Sequence, residues 1–177
     1  TLVAKNQSGL GTGTVKVLGG VLDLFGNSVA NTIQVFAGQV INSGSGELQA
    51  SALEIDSSDA VLVSANIAGA SSLSKSGTGV LILDAENTYT GSTTVTGGTL
   101  QPGSLAAIPA ESVVNVNGGA FDLNGLAFEN AFVVAGGALT NGVVNLSQLT
   151  ATTGLISADI EGVDGFESDI RHIVQSG

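Results

Sequence analysis

Cysteine, methionine and tryptophan are absent from the 177 residues, and there are only two prolines, one tyrosine and six phenylalanines. Without cysteine the chain can form neither disulfides nor thiolate metal sites. The same absence suits a chain that crosses membranes unfolded, since no premature crosslink can form. Basic residues are scarce too, four Lys and Arg against 15 Asp and Glu. Nothing here can neutralise a row of phosphates, so nucleic acid is set aside as a partner, and the acidity argues against an anionic membrane surface. No apolar run approaches the roughly 20 residues of a spanning helix, so direct membrane insertion by this chain is not expected. The opening "TLVAKNQSGLGTG" lacks the basic start and apolar core of a signal peptide, which reads as a mature, processed or partial chain. The closing "IRHIVQSG" does not read like the last strand of an outer-membrane barrel.

What is abundant is glycine, 26 residues, set among Val, Ile, Leu and Thr. Hydrophobic residues make up 43 %, enough for a core, while only 11 % are charged, so the surface must be mostly Ser, Thr, Asn and Gly. Short segments alternate: in "TVKVL" Val15 and Val17 fall on one face and Lys16 on the other, and in "VLDLF" Leu22 and Leu24 oppose Asp23. Such strands recur about every 8 to 12 residues between Gly, Asn and Ser, a spacing that suits a sandwich, a barrel or a solenoid.

The chain repeats itself. "VLGGVLDLFGNSVANTIQVFAGQVIN" (17–42) lies over "VNGGAFDLNGLAFENAFVVAGGALTN" (116–141) at an offset of 99, with ten of 26 positions identical. Random pairing would give roughly two. "LVSANIAG" (62–69) matches "LISADIEG" (155–162) at an offset of 93, so about six residues are lost in the second copy. The expected organisation is one domain over 1–165, nearly two copies of a unit of about 99 residues (1–98 and 99–165), followed by a divergent cap or tail at 166–177. The breaks at Gly19-Gly20, Gly97-Gly98 and Gly118-Gly119 are compatible with hairpin turns, which would favour a sandwich. The near absence of aromatics and charge favours stacked coils with aligned aliphatic rows and glycine at the corners. The expected fold is therefore all-β, a right-handed parallel β-helix of about seven to nine rungs, at roughly 20 to 25 residues per coil.

One stretch, "LSKSGTGVLILDAENTYTGSTTVTGGTL" (73–100), resembles the autotransporter-associated β-strand repeat of Gram-negative autotransporter passengers. The pattern is met by Leu73, Lys75, Gly77, Gly79, Leu81 and Leu83, then by Asn87, Thr88, Tyr89, Thr90 and Gly91, then by Thr94, Val95, Gly98, Thr99 and Leu100. "GLGTGTVKVLGGVLDLFGN" and "SVVNVNGGAFDLNG" look like its usual continuation, so the resemblance covers about 1–44 and 62–142. It departs at Val80 and Ser92, and after Gly165, where "FESDIRHIVQSG" replaces the expected run. The resemblance implies a secreted or surface-displayed β-helical stalk of a Gram-negative bacterium that aids passenger folding and export. It further implies an outer-membrane translocator barrel in the parent protein, and brings neither catalytic residues nor a cofactor.

Candidate sites are few, and no enzyme is expected. Asp23 and Asp122 are the tempting carboxylate pair for polysaccharide chemistry, but they hold equivalent places in two copies and read as outward positions of "LDL". Ser168, Asp169, Arg171 and His172 could be drawn as a triad, yet no nucleophile elbow is present, and a solvated terminal segment or capping helix is the simpler reading. Metal is not expected; Asp159, Glu161, Asp164, Glu167 and Asp169 are the cluster densest in oxygen ligands for calcium, their spacing is not that of an EF-hand, and Glu54, Asp56 and Asp59 form a second, weaker cluster. Tyr89 reads as packing, and Lys75 as structural, pairing with a carboxylate on the next rung. Two other readings compete with the stalk: a filament or sheath subunit self-associating through open solenoid ends, and a glycan-binding or glycan-active β-helix. A host or neighbouring-cell ligand would best sit on 45–61, which has no counterpart in the second copy.

Overall fold

The computed structural model describes residues 1–6, 9–145 and 149–161. Every strand pair is parallel, and the strands wind into a β-solenoid of about eight turns. One face carries β2 (Val15–Val17), β4 (Ile33–Val35), β6 (Ala52–Asp56), β8 (Ser72–Ser76), β10 (Thr93–Val95) and β12 (Val114–Val116), each paired with the next. A second face stacks β1 (Leu2–Val3), β3 (Val21–Asp23), β5 (Gly38–Ile41), β7 (Val61–Val63), β9 (Val80–Leu83), β11 (Thr99–Pro102) and β13 (Ala120–Asp122) in the same way. The two faces meet in β15 (Phe132–Asn145), long enough to turn the corner: it pairs with β12, with β13 and with the short β14 (Ala127–Phe128). β16 (Leu149–Glu161) then covers β15 along its length. A third side is held by single bridges, Val29 to Leu48 and Leu48 to Ile67.

The glycine pairs are corners, not hairpins. The strands that flank Gly19-Gly20, Gly97-Gly98 and Gly118-Gly119 pair with neighbouring coils and never with each other. The physical reason is burial: two apolar alternations separated by a corner bury more side chain facing a common interior than lying flat as a ribbon with one wet side.

Coil length is not uniform, and several coils are shorter than the expected roughly 20 to 25 residues. Val40 pairs with Val63 across a long coil, whereas Val15 pairs with Ile33 and Leu139 with Ile156 across short ones. The contrast between the Val40 and Leu139 coils accounts for the shorter offset of the second sequence match. Half of it has already arisen on the first face, where Ile33 pairs with Leu53 in one copy and Phe132 with Leu149 in the other. β2 and β12, like β3 and β13, lie five coil steps apart, so the main sequence offset corresponds to five turns of the coil.

Inward side chains form rows along the axis. Ile33, Leu53, Leu73, Thr93, Val114 and Phe132 occupy one register position in successive coils, and Val35, Ile55, Lys75, Val95, Val116 and Val134 the next one inward; all are buried. On the second face Leu81, Leu100, Phe121, Leu139 and Ile156 stack likewise. Each buried aliphatic contributes about 1.5–3 kcal/mol, so these rows are the main stabilising element. Two polar residues interrupt them, Thr93 and Lys75, and both belong to the 73–100 stretch.

Candidate functional site

The 73–100 stretch runs through one full coil and into the next. It begins on β8, turns a corner into β9, crosses the third side at 84–92, and returns through β10 and a second corner to β11. Leu73, Leu81, Leu83, Val95 and Leu100 take inward positions, buried to 1 % exposure or less. Thr88 and Thr90 are exposed, while Thr94 and Thr99 are half-buried.

Lys75 is fully buried, on the inward side of β8 between Ile55 and Val95. Its aliphatic stem fills the row, and its ammonium reaches the corner, where Nζ donates to the carbonyl oxygens of Ser76, Gly77 (3.2 Å) and Gly97 (3.3 Å). All its donors are thereby used. Burial lowers its pKa, and the charge of Asp56 opposes that shift. The partners are carbonyls rather than the carboxylate expected from sequence, because an inward stem delivers the ammonium to the inside of the corner, where the Ser76, Gly77 and Gly97 carbonyls lie. Gly97 lies on the following coil, so the lysine ties two coils together. Gly98 sits at φ +62 directly beside it; a Cβ there would lie 2.6 Å from Lys75 Nζ and closer still to the Gly79 carbonyl oxygen.

A second inward cluster centres on Tyr89. Its hydroxyl and Thr93 Oγ1 are 2.6 Å apart, Thr93 Oγ1 and Ser112 Oγ are 3.1 Å apart, and Ser112 Oγ donates to the Gly91 carbonyl at 3.1 Å. Asn87 bridges coils directly: Oδ1 accepts the Ile67 amide at 2.8 Å and Nδ2 donates to the Ala107 carbonyl at 2.7 Å. Ser71 Oγ bonds the Ala50 and Ala68 carbonyls. Among the described residues no buried side-chain nitrogen or oxygen lacks a partner. Such a layer costs little when complete and much when broken. The repeat pattern does not single out Thr93, Ser112 or Ser71. Alternation does mark Thr93, since Val95 inward places 93 inward and Thr94 outward.

Desolvation pushes the Tyr89 phenol up to about 12, against smaller contrary effects of Thr93 and Ser112. A raised folded-state value means the folded chain keeps a proton that the unfolded chain loses above pH ~10. Stability present below that pH is expected to fall by about 3 kcal/mol as pH rises to ~12. With one tyrosine and no tryptophan, ultraviolet titration reads this directly. The phenolate band should appear near 12 or together with unfolding; a titration near pH ~10 by a folded chain contradicts the burial.

The two aspartates do not form a pair. Asp23 accepts the Phe25 amide at 2.9 Å and, from the next coil, the Ser43 amide at 3.0 Å and the Ser43 hydroxyl at 2.8 Å. The Ser43 and Phe25 amides hold its carboxyl below the usual carboxylate value. Asp122 likewise accepts the Asn124 amide, Asn141 Nδ2 and Gln101 Nε2, each at 2.9 Å. Five coil steps separate them, about 24 Å at the usual strand spacing. Both carboxylates lock a turn; Asp23 points outward in the pleat, yet the next coil covers it to 9 % exposure. Of the acidic cluster, Asp159 is exposed on β16 and Glu161 ends that strand. Asp164, Glu167 and Asp169 lie outside the described residues, as do Ser168, Arg171 and His172. No group of three metal-ligating side chains occurs among the described residues. Residues 45–61 form an ordinary part of the coil, with Leu48 in the bridge row and β6 in the first face.

An open groove of about 560 Å³ lies on the third side, between Leu105, Ile108, Pro109 and Phe128. Glu129 is the one titratable residue in its lining, so it offers no acid–base pair.

Residues 73–101 match the passenger-associated-transport-repeat family. Over 149 residues, 83 % of the chain, the sequence is 31 % identical to the adhesin BmaC autotransporter of Brucella suis biovar 1 (strain 1330), and it spans 4 % of that protein's length. No solved structure matches the chain at a significant level.

Proposed function

We propose, on the premise that residues 73–101 are a passenger-associated-transport repeat, that this chain is a stalk segment of a passenger whose stacked coils aid folding during export. The repeat and the likeness to an autotransporter adhesin support a passenger or adhesin segment, displayed on or secreted from a Gram-negative cell. A translocator barrel elsewhere in the parent protein is part of the same proposal. No described helix is long and apolar enough to cross a membrane.

The observation that carries the structural role is where the repeat's polar side chains point. Lys75, Asn87, Tyr89 and Thr93 are all buried, and the hydrogen bonds of Lys75, Asn87 and the Tyr89–Thr93–Ser112 chain reach neighbouring coils. What the repeat leaves outside is mostly Ser and Thr, with the two exposed carboxylates Asp84 and Glu86. In a solenoid each coil contacts its neighbours alone, so a folded coil is the template for the next. A coil with inward polar partners adds a register check, because a slipped coil strands a buried lysine or tyrosine hydroxyl.

Surface display of the parent protein tests this. Inward changes, Lys75→Ala and Thr93→Val, are expected to lower the displayed fraction of total chain several-fold, as moderate destabilisation does for abundance. Outward changes, Thr90→Ala and Thr94→Ala, are expected to leave it unchanged. Equal display for all four, or loss confined to the outward pair, overturns the proposal.

A further inference from the structure

The sequence contains three Asn-Gly pairs within the described residues, at 117–118, 124–125 and 141–142. We infer that Asn117 is a site of spontaneous deamidation in the folded chain, while Asn124 and Asn141 are protected by the coil. Asn-Gly is the dipeptide in which the following amide nitrogen can best reach the asparagine side chain, since glycine presents no Cβ to the attack.

The three sites differ in what holds them. Asn124 donates from Nδ2 to the Pro102 carbonyl at 3.1 Å, and the Gly125 amide is held by the Asn141 carbonyl at 2.7 Å. Asn141 donates from Nδ2 to Asp122 at 2.9 Å. Both asparagines are also fixed at positive φ, 55° and 56°. Asn117 is exposed and its side chain makes no hydrogen bond among the described residues. The Gly118 amide has only the longer half of a shared acceptor: the Val95 carbonyl takes the Asn117 amide at 2.9 Å and the Gly118 amide at 3.2 Å. The fold does not need asparagine there either. Thr96 stands at the same corner position one coil earlier, and Leu18 holds the equivalent place in the first sequence copy.

The reaction is a substitution without redox change. The Gly118 nitrogen bonds to Asn117 Cγ, the Cγ–Nδ2 bond breaks, and ammonia leaves with the proton from Gly118. Water then opens the cyclic imide, giving aspartate when the new Cγ–N bond breaks and isoaspartate when the main-chain carbonyl–N bond breaks. Either product adds a negative charge to a chain already at −11. Isoaspartate also lengthens the backbone at a corner where the Asn117 carbonyl oxygen lies close to Gly136.

The test is incubation of the folded chain in mildly alkaline buffer at body temperature, with peptide mapping by mass spectrometry and a urea-unfolded sample in parallel. In the folded chain, modification is expected at Asn117 first. Asn124 and Asn141 should react slower by about tenfold or more, since each must first give up a held side chain. In urea the three should react at similar rates, and Asn117→Gln should remove the early folded-state product. Modification at Asn124 or Asn141 at the rate of Asn117 in the folded chain overturns the inference, as does an unmodified Asn117 when the unfolded sample reacts.

Discussion

Replacing Gly98 with alanine is expected to destabilise the chain by about 2–5 kcal/mol, because two costs add. A side chain at φ +62 is strained by about 1–2 kcal/mol. The added Cβ also meets the Gly79 carbonyl, Lys75 Nζ at 2.6 Å and the Gly77 carbonyl at 2.7 Å, and overpacking of this sort costs about 1–3 kcal/mol. The lysine cannot retreat, because its ammonium would leave the corner carbonyls inside an apolar row. Gly69→Ala separates the two costs: φ is +74, but nothing lies within 4 Å of the added atom, so only the strain should appear. Urea unfolding followed by circular dichroism compares them. Equal losses for the two variants would mean that the Gly98 corner opens freely to take the extra atom.

Phe121→Ala is the second large effect, an expected loss of about 3–5 kcal/mol. Phe121 is fully buried between Leu100 and Leu139. Its ring meets those of Phe128 and Phe132 edge-on, with centroids 5.8 and 5.4 Å away, in the most aromatic part of the described core. Backbone stacked every coil cannot collapse into the space, so the cavity cost is kept. Phe25→Ala is the control: that side chain is 57 % exposed, and its loss should stay within about 0.5 kcal/mol. A drop below about 1 kcal/mol for Phe121→Ala would show that the coils repack around the void.

Much of this arrangement is legible in residue order alone, and the exceptions share a cause. Alternation in "TVKVL" and "VLDLF" assigns the side of each strand, and the long sequence offset reflects five coils of the stack. Alternation does not say which strand is the neighbour, so Gly97-Gly98 is compatible with a hairpin as well as a corner. The partners of Lys75 stay hidden for the same reason: a carbonyl acceptor carries no residue signature, and Gly97 becomes adjacent only when coils stack. Asp23 faces outward as its place between Leu22 and Leu24 requires, yet Ser43 from the next coil covers it. The coil lengths, long from Val40 to Val63 and short from Leu139 to Ile156, depend on how tightly each corner turns, which glycine permits without specifying.

The polar residues of the 73–100 stretch act inside the coil and not on its surface, and lysine acylation tests this most directly. Lys5, Lys16 and Lys75 are the three lysines, and the first two are exposed. Lys75 is enclosed in the coil, with its ammonium held by the Ser76, Gly77 and Gly97 carbonyls, so protection from acylation reads that enclosure. The expected result with a water-soluble acylating reagent is rapid modification of Lys5 and Lys16, none of Lys75 in the folded chain, and modification of all three in urea. Labelling of Lys75 at the rate of Lys5 and Lys16, in a chain that circular dichroism shows still folded, would put the lysine on the surface and remove the inward role of the repeat.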